Sequence, residues 1–321
     1  FKFTGDAGSI VLDSPTGDGD FTIDPASGTV TGWIDHGSGF RVGQSRMFVH
    51  GSFDRKPGTA GLAPGGRSLT KFATFDTSRE KTVTLRLATS LISLEQAARN
   101  LAMEIGGKTF DQVREEARAI WNDRLDVIRV EGASETDLVT LYGCLYRLNV
   151  YPNAQFENVG TIEKPEYKYA SPVSRPVAAS TPTQTGARIV SGKMYVNNGF
   201  WDTYRTTWPA YSLLYPEIAA ELIDGFVDQY RDGGWIARWS SPGYANIMTG
   251  TSSDVAFADA YLRGVKLLDP LATYDAAVKN ASTPSDNQNV GRKGLTTSIF
   301  LGYTPVSQHE SVSWATEGFI N

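Results

Sequence analysis

Apolar and polar positions alternate in short runs through the first part of the chain and then change period. Ile10-Val11-Leu12, Phe21-Thr22-Ile23, Thr29-Val30-Thr31, Arg46-Met47-Phe48-Val49, Lys71-Phe72-Ala73-Thr74-Phe75 and Thr82-Val83-Thr84-Leu85-Arg86-Leu87 are rich in β-branched or aromatic residues. Such residues suit a pleated, half-buried surface. Ser14-Pro15-Thr16-Gly17-Asp18-Gly19, Gly37-Ser38-Gly39 and Pro64-Gly65-Gly66 lie between them and carry turn chemistry. Residues 1–92 therefore predict an antiparallel β-sandwich.

Helical spacing follows. Ser93-Leu94-Glu95-Gln96 and Thr109-Phe110-Asp111-Gln112 have the form of capping boxes. The second of these helices is predicted to be apolar along Phe110, Val113, Ala117, Ile120 and Trp121. Residues 93–130 thus read as a helical linker, and residues 131–321 as predominantly helical. Leu138, Leu141, Leu145 and Leu148 form one apolar face; Ile218, Leu222, Phe226 and Tyr230 form another; Val255, Tyr261 and Val265 suggest a third. Long connections, 152–200 and 231–252, are rich in Pro, Gly, Thr and aromatic residues, and loops of that length in a compact domain are more often functional than not. Paired helices with elaborate loops at one end predict an all-α helical-hairpin toroid, with an irregular bundle as the alternative.

Composition narrows the partners. The 321 residues carry 40% hydrophobic and 20% charged side chains and a formal net charge of −5, without the clustered cations that a nucleic-acid backbone requires. No apolar run approaches the roughly 20 residues needed to span a bilayer. The start, Phe1-Lys2-Phe3-Thr4, has no charged leader and reads as the middle of a strand. The single cysteine, Cys144, excludes an internal disulfide, and its setting among Leu141, Leu145 and Leu148 predicts a buried, inert thiol. His36, His50 and His309 show no close metal-ligand spacing.

Candidate chemistry concentrates in Gly199-Phe200-Trp201-Asp202-Thr203-Tyr204-Arg205-Thr206-Thr207-Trp208-Pro209. Aromatic faces offer platforms for the C–H face of a sugar ring, while Asp202 and Arg205 offer an acceptor and a donor for its hydroxyls. The same residues also fit core aromatics beside a local Asp–Arg pair at a helix start.

This segment, with Pro216-Glu217, Gly234-Trp235-Ile236-Ala237-Arg238-Trp239, Met248-Thr249-Gly250 and Asp254-Val255-Ala256-Phe257-Ala258-Asp259-Ala260-Tyr261, resembles glycoside hydrolase family 92. Leu141-Tyr142-Gly143-Cys144-Leu145-Tyr146-Arg147, Ser311-Val312-Ser313 and Thr316-Glu317 look like further landmarks in the same order. The resemblance covers essentially the whole chain. It implies a Ca²⁺-dependent, inverting exo-α-mannosidase, a β-sandwich followed by an (α/α)6-type barrel incomplete in this chain, and a secreted or cell-surface bacterial protein acting on mannose-containing glycans.

The resemblance further implies that Trp201 and Asp202 contact the terminal mannose and that Arg205 orients Asp202, an i, i+3 arrangement open to it on a helix. Trp239 and Asp254 are further substrate-binding candidates. Trp239, with Trp235 and Tyr244, is among the weaker ones, as a wall of the pocket. Core packing is the alternative for the three aromatics, and a helix-start charge is the alternative for Asp254. The family's catalytic acid, its calcium ligands and its Gly-Asn-Asp/Glu base motif are expected beyond Asn321, so the chain reads as an internal portion of a longer enzyme. Glu310 and Glu317 are the nearby acids, and neither is assigned. Two other functions remain open: a trehalase-like or glucoamylase-like hydrolase, and a glycan-binding module without turnover.

Overall fold

The computed structural model describes residues 1–305 apart from 15–17, 38, 41, 44 and 68. His309, Glu310, Ser311-Val312-Ser313 and Thr316-Glu317 lie outside the described residues. The chain divides into two compact units, residues 1–113 with 157–191, and residues 114–156 with 192–321. The second unit is therefore not continuous from residue 131, because a segment of 35 residues, 157–191, returns to the first.

The first unit opens with β1 (Ala7–Leu12), β2 (Gly19–Ile23), β3 (Thr29–His36), β4 (Ser45–Phe53), β5 (Thr59–Leu62), β6 (Lys71–Asp76) and β7 (Leu85–Ser90). One sheet runs β1-β6-β5 and the other β2-β3-β4-β7, with antiparallel pairing in both. Ile10, Ala73 and Phe75 of the first sheet share a buried cluster with Ile23, Val30 and Phe53 of the second. The β-rich N-terminal region is thus two small sheets packed over one core, as strand alternation requires. The far face of the larger sheet receives α1 (Leu94–Asn100) against β4 and β7.

The capping signals are realised. Ser93 Oγ accepts from the Gln96 backbone N–H at 3.0 Å. A five-residue π-helical turn, Leu101–Ile105, extends α1 before α2 (Phe110–Leu125) begins. Thr109 and Gln112 cap α2 reciprocally, at 2.8 and 3.2 Å. The apolar side expected of α2 is present but not buried: Phe110 and Ile120 are exposed and no residue of the helix is fully covered.

Next come α3 (Glu135–Leu148), β8 (Asn153–Ala154), β9 (Phe156–Asn158), β10 (Tyr167–Ala170), β11 (Ile189–Ser191), β12 (Tyr195–Val196) and β13 (Asn198–Gly199). Strands β11-β10-β9 form a third sheet. Glu157 ties its segment into the first unit, accepting from the Leu91 N–H at 2.6 Å and from Asn100 Nδ2 at 2.9 Å.

The remainder is helical: α4 (Phe200–Thr203), α5 (Thr207–Leu214), α6 (Pro216–Gly233), then β14 (Trp239–Ser240), α7 (Ser253–Leu262), α8 (Pro270–Ser282) and α9 (Leu295–Leu301). Leu222 and Phe226 of α6 are buried as their spacing predicts. Two expectations are corrected. Cys144 is exposed, because on α3 it precedes the buried Leu145 by one residue and so lies about 100° around the helix. On α7 the inward face is Ala256, Phe257 and Ala260, while Val255 and Tyr261 are exposed.

Candidate functional site

The site is built on an aromatic core in the second unit. Phe200 is fully buried and stacks on Trp208 with centroids 5.6 Å apart. It meets Phe226 edge-on at 5.0 Å and Phe257 at 5.7 Å. Residues of α4, α5, α6 and α7 therefore converge on one ring. With Phe200 held inside, the next residues of the short α4 turn outward: Trp201 is half-buried and Asp202 exposed. Asp202 has no hydrogen-bond or ion-pair partner among the described residues, leaving its oxygens available to an incoming hydroxyl.

Trp239 arrives through backbone pairing. The short antiparallel ladder β13–β14 sets Asn198 opposite Ser240 and Gly199 opposite Trp239. Gly199 is also the N-cap residue of α4, with φ −93°. A Cβ at this position would lie 2.4 to 2.7 Å from three atoms of the Trp239 benzo ring. The indole thus rests on the glycine backbone at the start of the turn that carries Trp201 and Asp202.

Strand β14 is fixed from beneath by residues that sequence reasoning did not single out. Arg238 is almost fully buried and donates to Gly291 O at 2.8 Å, Gln288 O at 3.0 Å and Asn246 Oδ1 at 2.7 Å. Burial lowers its guanidinium pKa to about 10. Gln229 of α6 accepts from the Ala237 N–H at 3.1 Å and donates to Tyr195 O at 3.0 Å and to Ser240 Oγ at 3.1 Å. Side chains alternate along a strand, so the inward Arg238 and Ser240 leave Trp239 on the opposite side. The signal available in sequence was a lone Arg between Ile236-Ala237 and Trp239.

Other candidates are placed differently. The Arg205 guanidinium lies over the Tyr204 ring, 4.4 Å from its centroid, and not against Asp202. Both Asp202 and Arg205 are exposed, so an i, i+3 pair would be screened and weak. Asp254 sits in a separate buried network at the start of α7, accepting from Thr251 Oγ1 at 2.5 Å and facing Arg292 at 3.4 Å. Burial raises its carboxyl pKa to about 7, against the lowering effects of Thr251 and Arg292. Trp235 packs beneath Lys279, whose Nζ is 4.6 Å from its ring centroid. The Tyr244 hydroxyl donates to Gln229 O and Trp235 O. A cleft of about 230 Å³ elsewhere in this unit, between Trp121, Tyr151, Tyr195 and Tyr211, is lined by none of the predicted site residues.

Among the described residues no group of three or more His, Cys, Asp or Glu side chains converges as a metal site would require. They do not by themselves fit a Ca²⁺ ion, which takes roughly six to eight oxygen ligands. No helix among them is long and apolar enough to cross a membrane.

Residues 96–321 match the glycosyl hydrolase family 92 catalytic domain. A protein of Arthroderma benhamiae described as an uncharacterized secreted glycosidase is 24% identical over 237 residues, covering 71% of this chain and 24% of that protein. An inverting mannosidase of family GH92 from Bacteroides thetaiotaomicron superposes with a TM-score of 0.80 at 26% identity, over 92% of this chain and 40% of its own. An α-mannosidase of the same family and bacterium, solved in complex with mannoimidazole, shares the fold with a TM-score of 0.74 at 20% identity, over 98% of this chain and 41% of its own. The chain spans about two fifths of the length of these mannosidases and about a quarter of the curated relative. With the match running through the helical region that carries Trp201, Asp202 and Trp239, the chain belongs to glycoside hydrolase family 92.

Proposed function

We propose that the protein is an inverting, exo-acting α-mannosidase that removes terminal α-linked mannose from mannans or high-mannose N-glycans. The observation that carries this reading is the pairing of an aromatic platform, Trp239 on Gly199, with the exposed carboxylate of Asp202 one helical turn further on. An indole face covers the C–H side of a pyranose, and a carboxylate accepts from its hydroxyls. Trp201 forms a further wall. The solved mannosidases of the family support mannose as the sugar.

In this reading the successive helices from α3 onward are the first part of an (α/α)6 barrel, and the whole site includes groups from further sequence. Inversion requires a carboxylic acid and a carboxylate roughly 6.5–9.5 Å apart, with room for water between them. No residue here is assigned to either role. Ca²⁺ dependence belongs to the proposal, as does export to the cell surface or medium, for which the secreted relative is the support.

The test is to incubate the full-length enzyme with yeast mannan or an aryl α-mannoside and follow the first-formed anomer by NMR. The expected product is β-mannose, lost on chelation and restored by Ca²⁺. Activity indifferent to chelator removes the calcium requirement. Glucose release from trehalose would favour a trehalase-like enzyme, and binding without release a glycan-binding module.

A further inference from the structure

The close approach of Gly199 to Trp239 carries a consequence for the site that neither residue's identity announces. Gly199 has φ −93°, an ordinary value for any L-residue, so backbone conformation does not require glycine here. Space does. A methyl group would lie 2.4, 2.6 and 2.7 Å from Cη2, Cζ3 and Cζ2 of Trp239. The indole has little freedom to retreat, because its backbone is paired to Gly199 and its neighbours Arg238 and Ser240 are locked inward. On the other side, Thr203 Oγ1 donates to Gly199 O at 2.9 Å, fastening the glycine to the turn that carries Asp202. Asp202 follows Gly199 by three residues, in the first turn of α4.

We infer that Gly199 is a positioning residue of the sugar site: its missing side chain sets the height of the Trp239 indole against the Asp202 carboxylate. The platform and the acceptor then grip a pyranose together. The inference rests on the proposed reading of the site as a mannose pocket. Gly199 acts through Trp239 and touches no substrate.

The test uses the full-length enzyme and an aryl α-mannoside, comparing Gly199→Ala, Trp239→Phe, Trp239→Ala, Asp202→Ala and the double variant Gly199→Ala/Trp239→Phe. A misplaced contact of about 1 Å can cost up to two orders of magnitude in rate, and KM for Gly199→Ala is expected to rise about tenfold on the same grounds. Phe lacks the atoms with which the new methyl collides. The double variant should therefore bind no worse than Trp239→Phe alone, a rescue that a general folding defect would not show. Two results overturn the inference: KM unchanged in Gly199→Ala while Trp239→Ala raises it, or a Gly199→Ala defect that persists undiminished in the Trp239→Phe background. If Trp239→Ala and Asp202→Ala both leave KM unchanged, the pocket reading itself falls, and the inference with it.

Discussion

Asp202 accepts nothing from the described residues and is open to solvent, so its removal leaves no buried partner among them stranded. Asp202→Ala should accordingly melt with the parent while losing roughly a hundredfold in kcat/KM, the scale of a charge-assisted hydrogen bond to substrate. Thermal unfolding and steady-state kinetics on the same preparation check both halves. Asp254 behaves otherwise. Its folded pKa of about 7 exceeds the ordinary 3.8, so the folded protein holds a proton there that the unfolded chain releases. Stability from this group is therefore lost as pH rises between about 4 and 7. In Asp254→Asn the fall in denaturation midpoint between pH 5 and pH 8 should shrink, and an unchanged fall would refute the assignment. Trp201 and Asp202 were legible in sequence because aromatics, a carboxylate and a guanidinium crowd one segment. Gly199, Gln229 and Arg238 were not, because each acts through a partner 11 to 53 residues away. The expected Arg205–Asp202 pair lost to cation–π stacking on the adjacent Tyr204.

Among elements, local signals were the most readable. The Thr109–Gln112 box forms reciprocally, since its partners are three residues apart, whereas Ser93 caps α1 from one side only, its own N–H donating to Ser90 Oγ while the Gln96 amide turns to Asn100 and Asn158. Six strands fall where β-branched and aromatic runs place them, although β7 begins three residues later than its run. Within residues 1–92 the missed strand is β5, Thr59-Ala60-Gly61-Leu62, which has one β-branched residue and no aromatic; pairing with β6 makes it a strand. Helix α7 misled because its inward face is mostly alanine, which carries little periodic signal. Phe257 supplies the packing there, and Phe200 joins α4 through α7 into one core. Phe200→Ala is expected to cost about 3–5 kcal/mol in chemical denaturation, as for other large-to-small changes at full burial. A loss below 1 kcal/mol would mean that the ring is not what anchors the site.

At the scale of the molecule, the helical unit displays large apolar side chains on several helices: Leu213, Leu262, Leu271 and Phe300 are 78%, 82%, 71% and 85% exposed. Large apolar side chains left this exposed favour association with other apolar surface. A polypeptide of residues 1–321 is therefore expected to bind a hydrophobic dye and self-associate. Sedimentation velocity and dye fluorescence check this, and a monodisperse, dye-silent 1–321 would contradict the idea. Sequence order suggested a sandwich followed by helices, and that much holds. It did not reveal that residues 157–191 rejoin the first unit, because short strands such as β9, β10 and β11 are defined by pairing more than by composition.

That return matters during synthesis. When the ribosome has made the seven strands and α1, the N–H of Leu91 and the amide of Asn100 still await the carboxylate of Glu157. The third sheet closes only after Ser191 has been added. The first unit cannot reach its final state as a finished N-terminal piece while the second is being translated, in contrast to the usual domain-by-domain order. Folding of the two is interleaved in time because it is interleaved in sequence. A release of the nascent chain near residue 156 would leave a sandwich with its last polar partners missing.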